Sequence, residues 1–253
     1  MIIRKSQAEI EKMARAGTVV RGCLDLLAQE IRPGITTKEL DSLAERYIRA
    51  NGGAPTFKGY RGFPGSICAS PNDMVVHGIP GRIRLSEGDI LGVDVGVTMD
   101  GYIADAAVTF AVGEISSSAR DLLRVTEEAL FRGIAQCHEG KRVGDISHAV
   151  QTHAEAHGFS VVQSMVGHGV GREMHEDPQV PNFGPPDQGP ELRDGMVLAI
   201  EPMVNVGGFD VEMGDDSWAI YTKDGSLSAH FEHTVAITKK GPRILTLLEA
   251  VDA

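Results

Sequence analysis

Between Asp89 and Val112 the chain reads DILGVDVGVTMDGYIADAAVTFAV, two apolar strand-like runs joined by Asp100-Gly101, each with one embedded aspartate. Asp-Gly between β-prone runs is a strong hairpin signal, because a two-residue type I′ turn needs positive φ at both central positions. With those residues as the turn, Met99 faces Tyr102 and Gly96 faces Asp105. Asp94 then lies two residues from Gly96 on the same face. The two aspartates are diagonal cross-strand neighbours, with Cβ atoms roughly 7–8 Å apart. Two carboxylates projecting together from apolar strands are costly to bury unless positive charge lies between them. A turn one residue longer would put them on opposite faces. Taken alone, the pair fits equally well one solvated aspartate and one turn cap.

Further isolated acids and imidazoles follow in the second half. MVLAIEPMV (196–204) reads as a buried strand whose single acid is Glu201. LSAHFEHTVAIT (227–238) reads as another, with Glu232 between His230 and His233. His168 and His175 stand in the glycine-rich VGHGVGREMHEDP. A lone histidine among glycines is more often structural than catalytic, and GHGVG is no dinucleotide fingerprint, since no helix pattern opens behind it. His153-x-x-x-His157 lacks the glutamate of a zincin motif and reads as a helix face ending at Gly158. No base is tied in sequence to Cys68, which argues against a thiol nucleophile.

The organisation around these residues is helix-helix-strands, twice. Ser6-x-x-Glu9 and Thr36-x-x-Glu39 are capping boxes that open two helices, stopped by Arg32-Pro33-Gly34 and Asn51-Gly52-Gly53. Short β-rich runs occupy 57 to 113, two more helices about 117–137 and 144–157, and strands return from about 160 with a Gly/Pro-rich excursion at 178–195. No linker or low-complexity tract interrupts the chain, so residues 1–253 are expected to form a single catalytic domain with a duplicated α+β architecture. No run of about 18 apolar residues predicts a membrane span, and the N-terminus lacks the apolar core of a secretory signal. Three cysteines in a chain of 253 residues read as reduced thiols of a cytoplasmic protein. A net charge of −11 argues against a nucleic-acid surface.

Taken together, NDMVVHGIP (72–80), Asp94 with Asp105, GHGVGREMHEDP (167–178), IEPM (200–203) and FEHT (231–234) resemble the type I methionine aminopeptidases, in order and over essentially the whole chain. The resemblance implies the pita-bread fold, an α+β architecture in which a curved antiparallel sheet holds two metals, helices pack outside and the halves are related by a pseudo-two-fold. It implies five metal ligands: Asp94, Asp105, His168, Glu201 and Glu232. Asp105 and Glu232 would bridge the metals, Asp94 chelate one, and His168 with Glu201 complete the other. Four carboxylates and a neutral imidazole match the charge of two divalent cations, with Co, Mn, Fe, Ni or Zn all compatible with such a set. In the family the metals share a hydroxide that attacks the scissile carbonyl. Glu201 is implied as proton acceptor, and His77 and His175 as hydrogen-bonding partners of the scissile amide and its oxygen.

The same resemblance implies a methionine pocket of Phe57, Tyr60, Phe63, Cys68, Met174 and Trp218, where a thioether meets aromatic rings and a second sulfur. Phe57, Phe63 and Met174 stand where a cysteine, a tyrosine and a phenylalanine are frequent in bacterial members, which puts the pocket's volume in question but keeps it apolar. Phe57 and Trp218 are equally compatible with plain core. The implied activity is removal of the initiator methionine from nascent polypeptides whose second residue is small, by a monomer with transient ribosome association. Two alternatives were weighed. An X-Pro peptidase, prolidase or aminopeptidase P, would carry a large extra N-terminal domain, whereas here the first helix opens near residue 6. A non-enzymatic binding protein on the same fold would have lost metal ligands. The 33 positions from His168 to Glu201 leave no room for the insertion of type II enzymes, and no N-terminal extension of the eukaryotic type I kind is seen.

Overall fold

The computed structural model describes residues 1–247. Both predicted capping boxes open helices. At α1 (Gln7–Glu30) the Ser6 amide donates to Glu9 Oε2 at 2.8 Å. At α2 (Thr37–Ala50) Thr36 N donates to Glu39 Oε2 at 2.8 Å, and Glu39 N donates back to Thr36 Oγ1 at 3.2 Å. Each box satisfies two amides that the first turn of a helix leaves free. After β1 (Ala54–Pro55), β2 (Cys68–Pro71) and β3 (Met74–Val76) comes the long hairpin β4 (Ile90–Met99) and β5 (Tyr102–Ala111).

The hairpin has the predicted register: Met99 faces Tyr102, Gly96 faces Asp105 and Asp94 faces Ala107. Asp100 and Gly101 have φ of 50° and 74°, as a type I′ turn requires. The outer face of the hairpin is paved with Leu91, Val93, Val95, Val97, Ala104 and Ala106, on which the Ala16, Val19, Val20, Cys23, Leu24 and Leu27 side of α1 packs. Period-2 alternation thus sends the apolar set to α1 and the two aspartates to the opposite, inner face.

The second half repeats the plan with α3 (Ser117–Ile134) and α4 (Val143–Ala156), followed by β6 (Ser160–Val161), β7 (Gly167–Gly169), β8 (Glu176–Val180), β9 (Val197–Ile200), β10 (Met203–Asn205), β11 (Val211–Met213), β12 (Ile220–Thr222), β13 (Ser228–His230), β14 (His233–Thr238) and β15 (Gly241–Ile244). The apolar spacing predicts α3 to 137, but the helix stops at Ile134. Cys137 is buried instead by a tight turn, its amide donating to Ile134 O at 2.9 Å. Leu122, Ala129, Leu130, Ile146 and Val150 of the two helices cover Leu198, Ile200, Val204, Val235 and Ile237 of the sheet strands. All named strand pairs are antiparallel, in the orders β1-β4-β2 with β5 on β4, β13-β10-β6, β11-β12-β3, and β15-β14-β9-β7-β8.

Two segments read from sequence as continuous strands are each broken in two. Residues 196–204 split at Glu201-Pro202 into β9 and β10, and residues 227–238 split at Phe231-Glu232 into β13 and β14. At each break the chain leaves one sheet for another: β9 and β14 pair in the five-stranded set, β10 and β13 in a three-stranded one. Pro202 has no amide to give a ladder, which fits the first break. Glu232 meets β5 instead, exchanging backbone hydrogen bonds with Ala107 at 2.9 and 3.3 Å.

The loop between β7 and β8 is anchored from the far end of the chain. Lys5 Nζ lies 2.6 Å from Glu176 Oε2, with the two side chains 3% and 6% exposed, and Glu176 Oε1 accepts from the Arg172 amide at 3.0 Å. Removing one partner strands a buried charge, so Glu176→Ala is expected to cost about 3–5 kcal/mol. Urea denaturation is the measurement, and Lys5→Ala combined with Glu176→Ala should cost clearly less than the sum of the single changes.

Candidate metal centre and substrate cleft

The hairpin, the strand breaks and the β7 glycines converge on one cleft of about 310 Å³. Asp94 and Asp105 enter it from β4 and β5, His168 from β7, and Glu201 and Glu232 from the two breaks. Asp105 and Glu232 are essentially solvent-free, at 0% and 2% exposure. One ligand atom from each of Asp105, His168 and Glu232 lies within 4.8 Å of the other two. His168 Nε2 is 3.7 Å from Asp105 Oδ2 and 3.5 Å from Glu201 Oε1. The other ring nitrogen, Nδ1, donates to the Gly169 carbonyl at 2.9 Å, leaving the Nε2 lone pair facing the carboxylates. That is the tautomer and supporting bond of a metal-binding imidazole. Thr234 Oγ1 donates to Asp105 Oδ1 at 2.7 Å and orients it, while Asp105 Oδ2 and Asp94 Oδ1 are buried with no hydrogen-bond partner.

Such an arrangement is electrostatically costly in the protein alone. Burial, then Asp105 and Glu201, push the Asp94 carboxyl well above its ordinary range. Burial, then Asp105, Glu201 and Asp94, do the same to Glu232. Glu201 is raised to about 8, mainly by burial, and Asp105 is also raised by burial, against the opposing pull of His168. Orphaned carboxylate oxygens converging on one imidazole fit divalent cations, which replace this repulsion with attraction and satisfy the unpartnered atoms.

His77, His175 and the six side chains of the implied methionine pocket line the same cleft. His77, at φ +62°, follows β3, and burial holds its ring neutral, near 4. His175 is also lowered to about 4, by burial first and then by His168. The ring centroids of His175 and His168 are 4.4 Å apart, and Tyr60 Oη is 2.7 Å from His175 Nδ1. Phe63 and Trp218 meet edge-on at 5.1 Å. A Cβ on Gly96 would come within 2.6 Å of the Phe57 ring, so with the ring in this place the residue facing Asp105 has to be glycine. Cys68 pairs with Asp94 across β2 and β4, and burial pushes its thiol well above 9, which leaves it no nucleophilic thiolate. Met174 completes the apolar wall.

Several lining residues were not anticipated. Ser164, Met165 and Val166 border the cleft immediately before β7, and Arg61 stands beside Tyr60. His230 lies beneath Glu201, with Nε2 3.6 Å from Glu201 Oε2 and without a hydrogen-bond partner. Adjacency in sequence to His168 and Glu232 was the available signal.

The chain belongs to metallopeptidase family M24, whose sequence model matches residues 11–239. It has the pita-bread fold of that family, and the family implies divalent metal at the site. A methionine aminopeptidase of Clostridium perfringens is 53% identical over 98% of this chain and 100% of its own length. The crystal structure of a methionine aminopeptidase from Thermotoga maritima superposes with a TM-score of 0.97 at 46% identity, covering 98% of this chain and all of the other. A prolidase from Pyrococcus furiosus shares the fold at TM-score 0.80 and 23% identity, and this chain covers 66% of it.

The raised carboxyls give the metal-free protein a distinctive pH dependence. Between pH 7.5 and 8.5 the lowered histidines are almost wholly neutral in folded and unfolded chains alike, whereas Glu201 keeps much of its proton when folded and has lost it when unfolded. The folded state binds more protons there, so stability of the chelated protein falls as pH rises from 7.5 to 8.5. Urea midpoints at those two pH values measure it. Added manganese should abolish the decline, since loading the site expels those protons.

Proposed function

We propose that the chain is a divalent-metal exopeptidase that removes N-terminal methionine from nascent polypeptides whose second residue is small, acting as one catalytic domain. The observation that carries this reading is the continuity of one cleft. Its apolar wall, formed by Phe57, Phe63, Cys68, Met174 and Trp218, opens directly onto Asp94, Asp105, His168, Glu201 and Glu232. An unbranched thioether suits a wall of rings and sulfur. Relatives that match from end to end at about half identity carry the same activity in their names.

Asp94, Asp105, His168, Glu201 and Glu232 would together hold the divalent ions. When bound, divalent ions of this kind lower the pKa of water and polarise the scissile carbonyl. Mn, Fe, Co, Ni and Zn all suit one imidazole among carboxylates. Glu201 accepts the proton that water gives up. His77 and His175 are neutral at working pH and hydrogen-bond the scissile amide and its carbonyl oxygen, where negative charge develops. Tyr60 Oη lies 2.7 Å from His175 Nδ1, and with the hydroxyl donating there Nε2 would carry the donating hydrogen. Methionine seated in the apolar wall brings the scissile bond to these groups, and a large second residue would displace it from attack geometry, where about 1 Å can cost 100-fold.

The decisive assay is release of methionine from Met-Ala-Ser. Chelation should abolish it and divalent metal restore it, whereas Glu232→Ala should stay at least about 100-fold slower at any metal concentration. Near-normal turnover of that variant at low metal would remove Glu232 from the centre. His77→Ala is expected to lower turnover at least about tenfold with metal content unchanged, as a donor to the reacting bond behaves. Loss of metal from the His77 variant would make it a ligand instead.

A further inference from the structure

The outer surface of the second helix pair holds a second group of metal-binding side chains. His153 and His157 sit at i,i+4 at the end of α4, and α3 packs Glu128 against them. Glu128 Oε2 is 2.9 Å from His153 Nε2, and the two imidazole centroids are 4.6 Å apart. One ligand atom from each of the three residues lies within 4.8 Å of the other two.

Of the two imidazoles His157 already has the protonation pattern of a ligand, whereas His153 Nε2 donates to Glu128 Oε2 and an ion would displace that hydrogen. His157 Nδ1 lies 2.8 Å from the His153 carbonyl oxygen, which can only accept, so Nδ1 carries the hydrogen and Nε2 keeps its lone pair. A backbone carbonyl holding the far ring nitrogen is the usual support of a metal-bound histidine. His157 caps the C-terminal end of α4, where its ring is exposed. A tetrahedral ion at about 2.0–2.1 Å would draw the three ligand atoms to separations of about 3.3–3.5 Å. Arg124 is the competing cation, 3.0 and 3.2 Å from the two Glu128 oxygens. Its guanidinium is half exposed and also reaches Asp121 at 3.3 Å, so it can yield Oε2 at small cost.

We propose that Glu128, His153 and His157 form a surface site for a borderline transition-metal ion such as Zn²⁺, bridging α3 to α4 and separate from the buried centre. Two imidazoles with one carboxylate favour zinc, copper, nickel or cobalt over the hard cations magnesium and calcium. The fourth position stays with water, because no further His, Cys, Asp or Glu among the described residues joins the cluster. The site is independent of the catalytic reading, since it uses none of the cleft residues.

The test is equilibrium dialysis of full-length protein, with its buried centre loaded, against free Zn²⁺. Wild type is expected to take up one equivalent beyond the buried centre. His157→Gln and Glu128→Gln should each weaken that equivalent at least about tenfold, while His148→Gln, one turn away on α4, leaves it unchanged. His157 is exposed, so its variant keeps the fold, and its melting curve without zinc should match wild type. Absence of the extra equivalent in wild type, or its survival in His157→Gln, overturns the proposal.

Discussion

The exchange of backbone hydrogen bonds between Ala107 and Glu232 is the seam on which the molecule depends. It ties the hairpin of the first half to the broken strand of the second, and Thr234 Oγ1 reinforces it by bonding both the amide and the carboxylate of Asp105. Two acids that would otherwise repel are held side by side by neutral backbone groups around them. Neither half could bury its inner face alone. The first half's α1 covers one side of the hairpin and leaves Asp94 and Asp105 facing the partner half.

That geometry decides what kind of chemistry is possible. Carboxyls raised by burial hold their protons in the absence of counter-charge, and a protein holding four of them around one imidazole is unsettled by its own side chains. Positive ions convert the same set into a strong field focused on one wall of an apolar cleft. The lowered histidines fit this division. His77 and His175 stay neutral and are left to donate hydrogen bonds, a role that a protonated ring beside metal could not share without repulsion.

Much of this was legible from sequence because the governing signals are local. Asp100-Gly101 determines the turn, the turn determines the register, and period 2 then puts Asp94 and Asp105 on one face. Capping boxes marked α1 and α2 for the same reason. The breaks at Glu201 and Glu232 were not legible. The apolar run continues through both, and the change of sheet is decided by partners far along the chain, with Pro202 the one local cue. His230 was visible only as a neighbour of Glu232, since its place under Glu201 depends on that same break. The pairing of Glu128 with His153 was hidden too. Periodicity says which residues share a helix face, but not which other helix that face meets.

The anchoring of Glu176 by Lys5 bears on how the molecule comes together in time. The hairpin carrying the first two aspartates closes over a handful of residues and can form early. The loop with Met174 and His175 is held by a residue 171 positions away, and Glu232 is tied to Ala107 across the two halves. The cleft is therefore complete only when contacts distant in sequence have formed. Its assembly reports on the whole chain: a molecule with its helices in place but residues 5 and 176 apart has a core yet no organised rim around its polar centre. Surveillance of folding by loss of the site would detect errors at either end of the polypeptide.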